Sequence, residues 1–327
     1  MRLVNNLHRT VDRWQQRHAA ASFLFAVRQK YDEDQGRYLA ATVTYYAFLS
    51  IFPLLLVLVT LLGYALEGDT DLQHRVLDSA LADFPVIGDQ LQRNVHSLQG
   101  SWPALVIGIG IAIWAGTGVC LAIENAMDHI WGVPFKRRVN PVFARVRALL
   151  WIALLGGVVI IDTFLGGLST SASSYDLGLR LLALAASLVI NFAVFVTAFR
   201  VLTSASPSIR QVVPGAIFAA IAWAILQAAG AYLVNRYLKN ASATYGIFAL
   251  VLGLLAWLQL AASMTLLSAE LNVVAARHLW PRSLTLLVEE PRATGDEDAL
   301  RQRAEIETRR SDQDVQVVFD DAGDDRA

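Results

Sequence analysis

Asp162 is the residue whose chemistry most needs explaining, because it is the one charge within the apolar stretch 148–175. An ionised carboxylate at the centre of a bilayer costs about 2.5–3.5 kcal/mol on insertion scales, so it must be paired, protonated or turned toward water. Asn191, Gln227 and Gln259 fall near the middles of three other apolar stretches. They can share a polar interior with Asp162 or serve as interhelical hydrogen bonds, worth on average about 0.6 kcal/mol.

A second set of polar residues follows two apolar runs. Glu124, Asn125, Asp128 and His129 come after one, and Glu270 and Asn272, followed by Arg277 and His278, end another. Arg200 is the expected ion-pair partner for Glu124 or Glu270. Such a group is either a salt-bridge clasp fastening three helices or a gate with proton-coupled carboxylates. A third candidate surface lies in 42–53, where Thr42, Thr44, Tyr45, Tyr46 and Ser50 precede Pro53. Proline removes a backbone donor and is expected to bend the helix, so this stretch can line a pathway or pack against a neighbour.

The elements that must position these groups follow from the solvent. Residues 39–66, 104–123, 148–175, 181–199, 211–235 and 240–269 carry at most one charge each. About 20 apolar residues at 1.5 Å apiece cross a hydrocarbon core about 30 Å thick. The chain is 55% hydrophobic and 17% charged, with mean hydropathy +0.44. Continuous runs rather than short alternating segments predict an all-α polytopic membrane protein with six transmembrane helices. No cleavable signal peptide is expected, since the first 38 residues are polar and basic.

Basic residues set the expected orientation. Residues 1–38 hold seven Lys and Arg, and the loop after the second span holds Lys136, Arg137, Arg138, Arg145 and Arg147. The loop 67–103 has only Arg75 and Arg93 against six acids. The positive-inside rule places both termini in the cytoplasm and 67–103 outside. Two amphipathic helices are expected, a basic one around Ala21–Lys30 before the first span and an outer one through Leu72, Val76, Leu77, Ala80, Leu81 and Phe84. Three regions result: a basic segment 1–38, a six-helix domain 39–280, and an acidic tail 281–327. From Glu289 onward that tail has 13 acids against six Arg and is expected to be largely disordered.

Enzyme chemistry is disfavoured. The six histidines are scattered on both sides of the membrane and form no metal-ligand run. Gly-rich phosphate loops, Gly-x-Ser-x-Gly elbows and Cys/His nucleophile pairs are missing from the sequence. No metal, cofactor or nucleic-acid partner is expected. Membrane lipids are, including anionic lipid at the basic inner loops.

Three motifs in fixed order then carry a family resemblance. Tyr45-Tyr46-Ala47-Phe48-Leu49-Ser50-Ile51-Phe52-Pro53 lies in the first span, and Glu124-Asn125-Ala126-Met127-Asp128-His129-Ile130-Trp131 follows the second. Thr244-Tyr245-Gly246 leads to Trp257 and then to Ser268-Ala269-Glu270-Leu271-Asn272 in the sixth. Together, over about residues 20 to 282, they resemble the YihY/BrkB family of bacterial inner-membrane proteins. Ser268 stands where that family commonly has glycine. The resemblance implies a six-helix membrane protein linked to envelope integrity, serum resistance or lipid-related export. Family members have also been labelled ribonuclease BN, a label the residues above argue against. Two readings of function follow: a transporter or flippase of a lipid-related or amphiphilic envelope component, or a non-transporting membrane scaffold. The candidate pathway or gate residues are Asp162, Glu124, Asn125, His129, Glu270, Asn272, Arg200, Asn191, Tyr45, Ser50 and Pro53.

Overall fold

The computed structural model describes residues 15–65, 102–140, 142–154, 157, 177–233, 239–283 and 294–319. These form helices, joined by turns, with no strand among the described residues. In chain order they are α1 (Ala19–Glu33), α2 (Gly36–Ala65), α3 (Trp102–Ile130), α4 (142–154), α5 (Leu177–Val201), α6 (Ile209–Leu233), α7 (Lys239–Arg277) and α8 (Thr294–Ile306).

Local sequence explains the breaks. The amide of Asp34 donates to the Lys30 carbonyl at 2.8 Å, closing α1, and Gln35 at φ 55° turns the chain into α2. Ser208 and Gln211 start α6: the Gln211 side-chain oxygen accepts from the Ser208 amide at 2.8 Å and hydroxyl at 3.1 Å, the reach-back of a capping box. α2 continues as helix through Pro53.

Packing follows the small residues. α2 lies along α3, α6 along both α5 and α7, and α7 also against α1 and α2. One core joins Ala26, Ala40, Ala126, Ala216 and Ala269 with Met127, Ile130, Phe199, Leu266 and Val273. Alanine-lined contacts let helices approach closely where hydrophobic exclusion gives no drive between them. The outside is apolar as well: Trp114, Leu150, Val189, Ile225 and Phe248 are each more than 60% exposed. A surface of that kind suits hydrocarbon and would associate in water.

Among the described residues, Ile209–Gly230 and Val251–Arg277 are long and apolar enough to cross a membrane, and Ala185–Val201 is a shorter apolar helix. The expected outer helix through Leu72 and Phe84, and Asp162 itself, lie outside the described residues. The tail departs from the disorder its composition suggested. α8 docks on the end of α1, with Arg282 (2% exposed) bridging Asp296 at 2.8 Å and Glu33 at 2.5 Å. Charge content counts against a core of its own, but here the acids have specific basic partners on a surface already folded.

Candidate functional site

The polar residues collect at one end of the bundle, where α1, α3, α6 and α7 meet. Lys30, on the last turn of α1, is 4% exposed. Its ammonium has three N–H groups and three neighbours: the Asp34 carboxylate, the Ile130 carbonyl oxygen at 2.9 Å and the Glu270 carboxylate at 3.0 Å. Burial alone would lower the Lys30 pKa. The carboxylates of Glu270 and Asp34 override it and hold the pKa above its ordinary value. Two carboxyl groups thus crowd one ammonium in a dry site, since Asp34 is 4% and Glu270 0% exposed.

His129, one residue from Ile130, sits in the field of Asp34 and Lys30, and burial lowers its pKa. Arg277, on the last turn of α7, donates to the Trp131 carbonyl at 2.5 Å. The end of α3 is thus held by cations from α1 and α7.

Two residues along from Glu270, Asn272 grips α6 by its backbone. Its side-chain oxygen accepts from the Gly215 amide at 2.6 Å. Any Cβ at Gly215 would collide with the Ser268 carbonyl and the Asn272 amide group, so only glycine lets the helices come this close. Ser268, in the place where glycine was the expected residue, folds its hydroxyl back onto the Met264 carbonyl at 2.6 Å and is fully buried.

Asp128 binds the turn between α5 and α6. One oxygen accepts from the Thr203 hydroxyl at 2.9 Å and the Ser204 amide at 2.6 Å, and the other from the Ser204 hydroxyl at 2.8 Å. Glu124, one turn earlier, pairs with Arg147 on α4, which also reaches the Thr203 carbonyl at 3.4 Å. Asn125 accepts from Arg138 at 2.7 Å.

The expected role of Arg200 is corrected. Its Nε–H goes to the Pro207 carbonyl at 3.3 Å, within its own turn, and its side chain is exposed. Glu270 takes Lys30 and Glu124 takes Arg147 instead. Lys30 reads in the sequence as part of a basic interfacial face, and its i,i+4 spacing to Asp34 marks a pair but not burial, since Arg28 and Asp32 share that spacing and are exposed. Arg147 had been absorbed by the topology count. Nothing in its spacing marks it as Glu124's partner.

Of the mid-span residues, Asn191 and Gln259 have separate partners, and Asp162 lies outside the described residues. Asn191 donates to Ser187 on its own helix at 2.9 Å. Gln259 accepts from Thr44 at 3.0 Å, tying α7 to α2. Tyr45 is 59% exposed and edge-on to Tyr46, whereas Ser50 is buried and donates to the Ala47 carbonyl at 2.8 Å. Pro53 is half-buried. No cluster of three metal-ligating side chains occurs among the described residues.

A family model described as "Virulence factor BrkB" matches residues 27–287, most of the chain. The chain is similar to the Bacillus subtilis "putative ribonuclease-like protein YfkH", at 25% identity over 77% of this chain and 94% of that protein. It is similar to a "UPF0761 membrane protein" of Chromohalobacter salexigens, at 26% identity over 74% of this chain and 60% of the other. The Escherichia coli "inner membrane protein YhjD" is 22% identical over 78% of this chain and 81% of its own. No solved structure matches. With the family match spanning the end-of-bundle cluster and every apolar helix described above, the chain belongs to the BrkB family and is an integral membrane protein.

Proposed function

We propose that this is a six-span protein of the bacterial inner membrane, with both termini cytoplasmic, acting as a non-transporting scaffold that supports envelope integrity. The observation that supports this reading is the pairing of the cluster. Glu124, Asp128, Glu270 and Asn272 are each bound by a group on another element. Carboxylates of a water-filled pathway would face a cavity. Two clefts between described helices, about 350 and 510 Å³, have no acidic residue in their walls. This reading gives the protein no catalytic role, and the "ribonuclease-like" wording of one relative does not extend to it.

Those same clefts favour the second reading, transport or flipping of an amphiphilic envelope component, since they lie between helices and are lined largely by apolar side chains. Asp162→Asn separates the two. It keeps size and hydrogen bonding while abolishing titration. A strain lacking the gene, complemented with this variant, should regain wild-type resistance to detergent if the protein is a scaffold. Lost resistance with unchanged protein level and unfolding midpoint would move the assignment to proton-coupled transport.

Sidedness has its own test. Cys120, the sole cysteine, is buried, so introduced thiols report cleanly. Ser79→Cys should react with an impermeant reagent in intact cells, and Ser311→Cys should not; reversed labelling overturns the orientation.

A further inference from the structure

The smaller cleft carries the one feature that the paired cluster does not explain. It holds about 350 Å³ between α2, α3 and α4, within the size range of ligand sites. Its walls include Thr42, Tyr46 and Leu49 of α2 and Trp114, Leu121 and Asn125 of α3, with Arg145 of α4 at its rim. Trp114 and Asn125 are 11 residues apart on one helix, so the cleft runs about 16 Å. That is close to half of a hydrocarbon core about 30 Å thick, the depth of a single leaflet.

Arg145 is the unusual group. Three of its basic neighbours are engaged, Lys136 with the Gln313 carbonyl, Arg138 with Asn125 and Arg147 with Glu124, and exposed Arg137 lies outside the cleft walls. Arg145 is exposed and makes no hydrogen bond or ion pair among the described residues. No acid lines the cleft to neutralise it. The floor is shaped for occupancy as well. A Cβ on Gly118 would stand 2.9 Å from the Tyr46 ring, so the glycine lets the ring approach α3 closely at the cleft wall.

We propose that this cleft binds one anionic phospholipid, with its phosphate on Arg145, its headgroup hydroxyls near Asn125 and Thr42, and an acyl chain along Leu121, Leu49 and Trp114. Guanidinium recognises a phosphate diester by two parallel N–H bonds, and the apolar length below it fits a chain of one leaflet. The site goes beyond the scaffold reading and does not depend on it, since a scaffold and a flippase alike can hold a lipid.

The test uses the full-length protein in detergent, titrated with phosphatidylglycerol and, separately, phosphatidylcholine, with bound lipid counted by native mass spectrometry. Phosphatidylglycerol should bind one per chain and phosphatidylcholine more weakly. Arg145→Gln should weaken phosphatidylglycerol about fivefold, the factor expected for one basic residue at an anionic surface. Arg137→Gln, an exposed loop arginine outside the cleft walls, should leave it unchanged. Equal binding of the two lipids, no change in Arg145→Gln, or an equal loss in Arg137→Gln would overturn the site. So would inorganic phosphate displacing the lipid at comparable concentration, which marks a free-phosphate site instead.

Discussion

Glu270 and Glu124 are the same residue type at the same end of the bundle, and their surroundings differ in two respects. Glu270 is fully buried and meets a lysine 240 positions away in the chain, itself 5% exposed at the side chain and shared with Asp34. Glu124 meets an arginine 23 positions away whose side chain is 22% exposed. One pair is dry and closes the chain from first helix to last span. The other is damp and local. Burial makes the first costly to leave half-made, whereas water partly substitutes for a lost partner in the second.

The largest effect therefore belongs to Lys30. Lys30→Met leaves the buried carboxyl groups of Glu270 and Asp34 without their shared partner and should lower unfolding free energy in detergent by about 3–5 kcal/mol. The double variant Lys30→Met/Glu270→Gln should recover part of that loss, because it removes a stranded charge along with its partner. Additive losses, or a single-variant loss below about 1 kcal/mol, would break the distinction drawn between the pairs.

Arg147→Gln comes next, at about 1–2 kcal/mol, since solvent already reaches the guanidinium and can partly replace it beside Glu124. A loss matching that of Lys30→Met in the same unfolding experiment would show that Glu124 is as dry as Glu270.

The smallest effect is a pH slope from His129. Its folded pKa lies below the ordinary 6.5 because burial favours the neutral ring. The unfolded chain then binds the proton more readily, so this contribution is present above about pH 6.5 and is lost as pH falls through the folded value. Lys30 has the opposite sign, with a raised pKa whose contribution disappears only as pH rises through that value. Melting midpoints from pH 7.5 to 5.5 should fall less steeply in His129→Gln than in the parent protein. Parallel curves would remove His129 from the balance.

Much of this was legible in the sequence, and the limit is instructive. Apolar length located the helices, and the order of three motifs identified the family, because both depend on local composition. Glu124, Glu270 and Asn272 stood out as polar groups at the ends of apolar runs, which is a one-dimensional property. Their partners did not stand out. Arg200 is nearest to expectation by depth, yet its own turn takes its Nε–H, and Lys30 was hidden among basic residues that the positive-inside rule already explained. Gly215 could not be singled out among 21 glycines until Asn272 was seen on its amide. The tail misled for a related reason: 13 acids against six arginines describe its average, while Asp296 is fixed by the single cation of Arg282.

The contact between Lys30 and Glu270 also orders events during synthesis. α1 leaves the ribosome early, but its carboxylate partner is made 240 residues later, in α7. Until then Lys30 has the helical neighbour Asp34 and, once α3 is made, the Ile130 carbonyl, but not the carboxyl group that ties α1 to α7. The first helix therefore completes its contacts only when α7 arrives, and a chain cut before α7 would leave Lys30 without Glu270. Nascent proteins that fail to complete insertion would differ from finished ones at this point above all, giving quality-control proteases a site that disappears when the final span arrives.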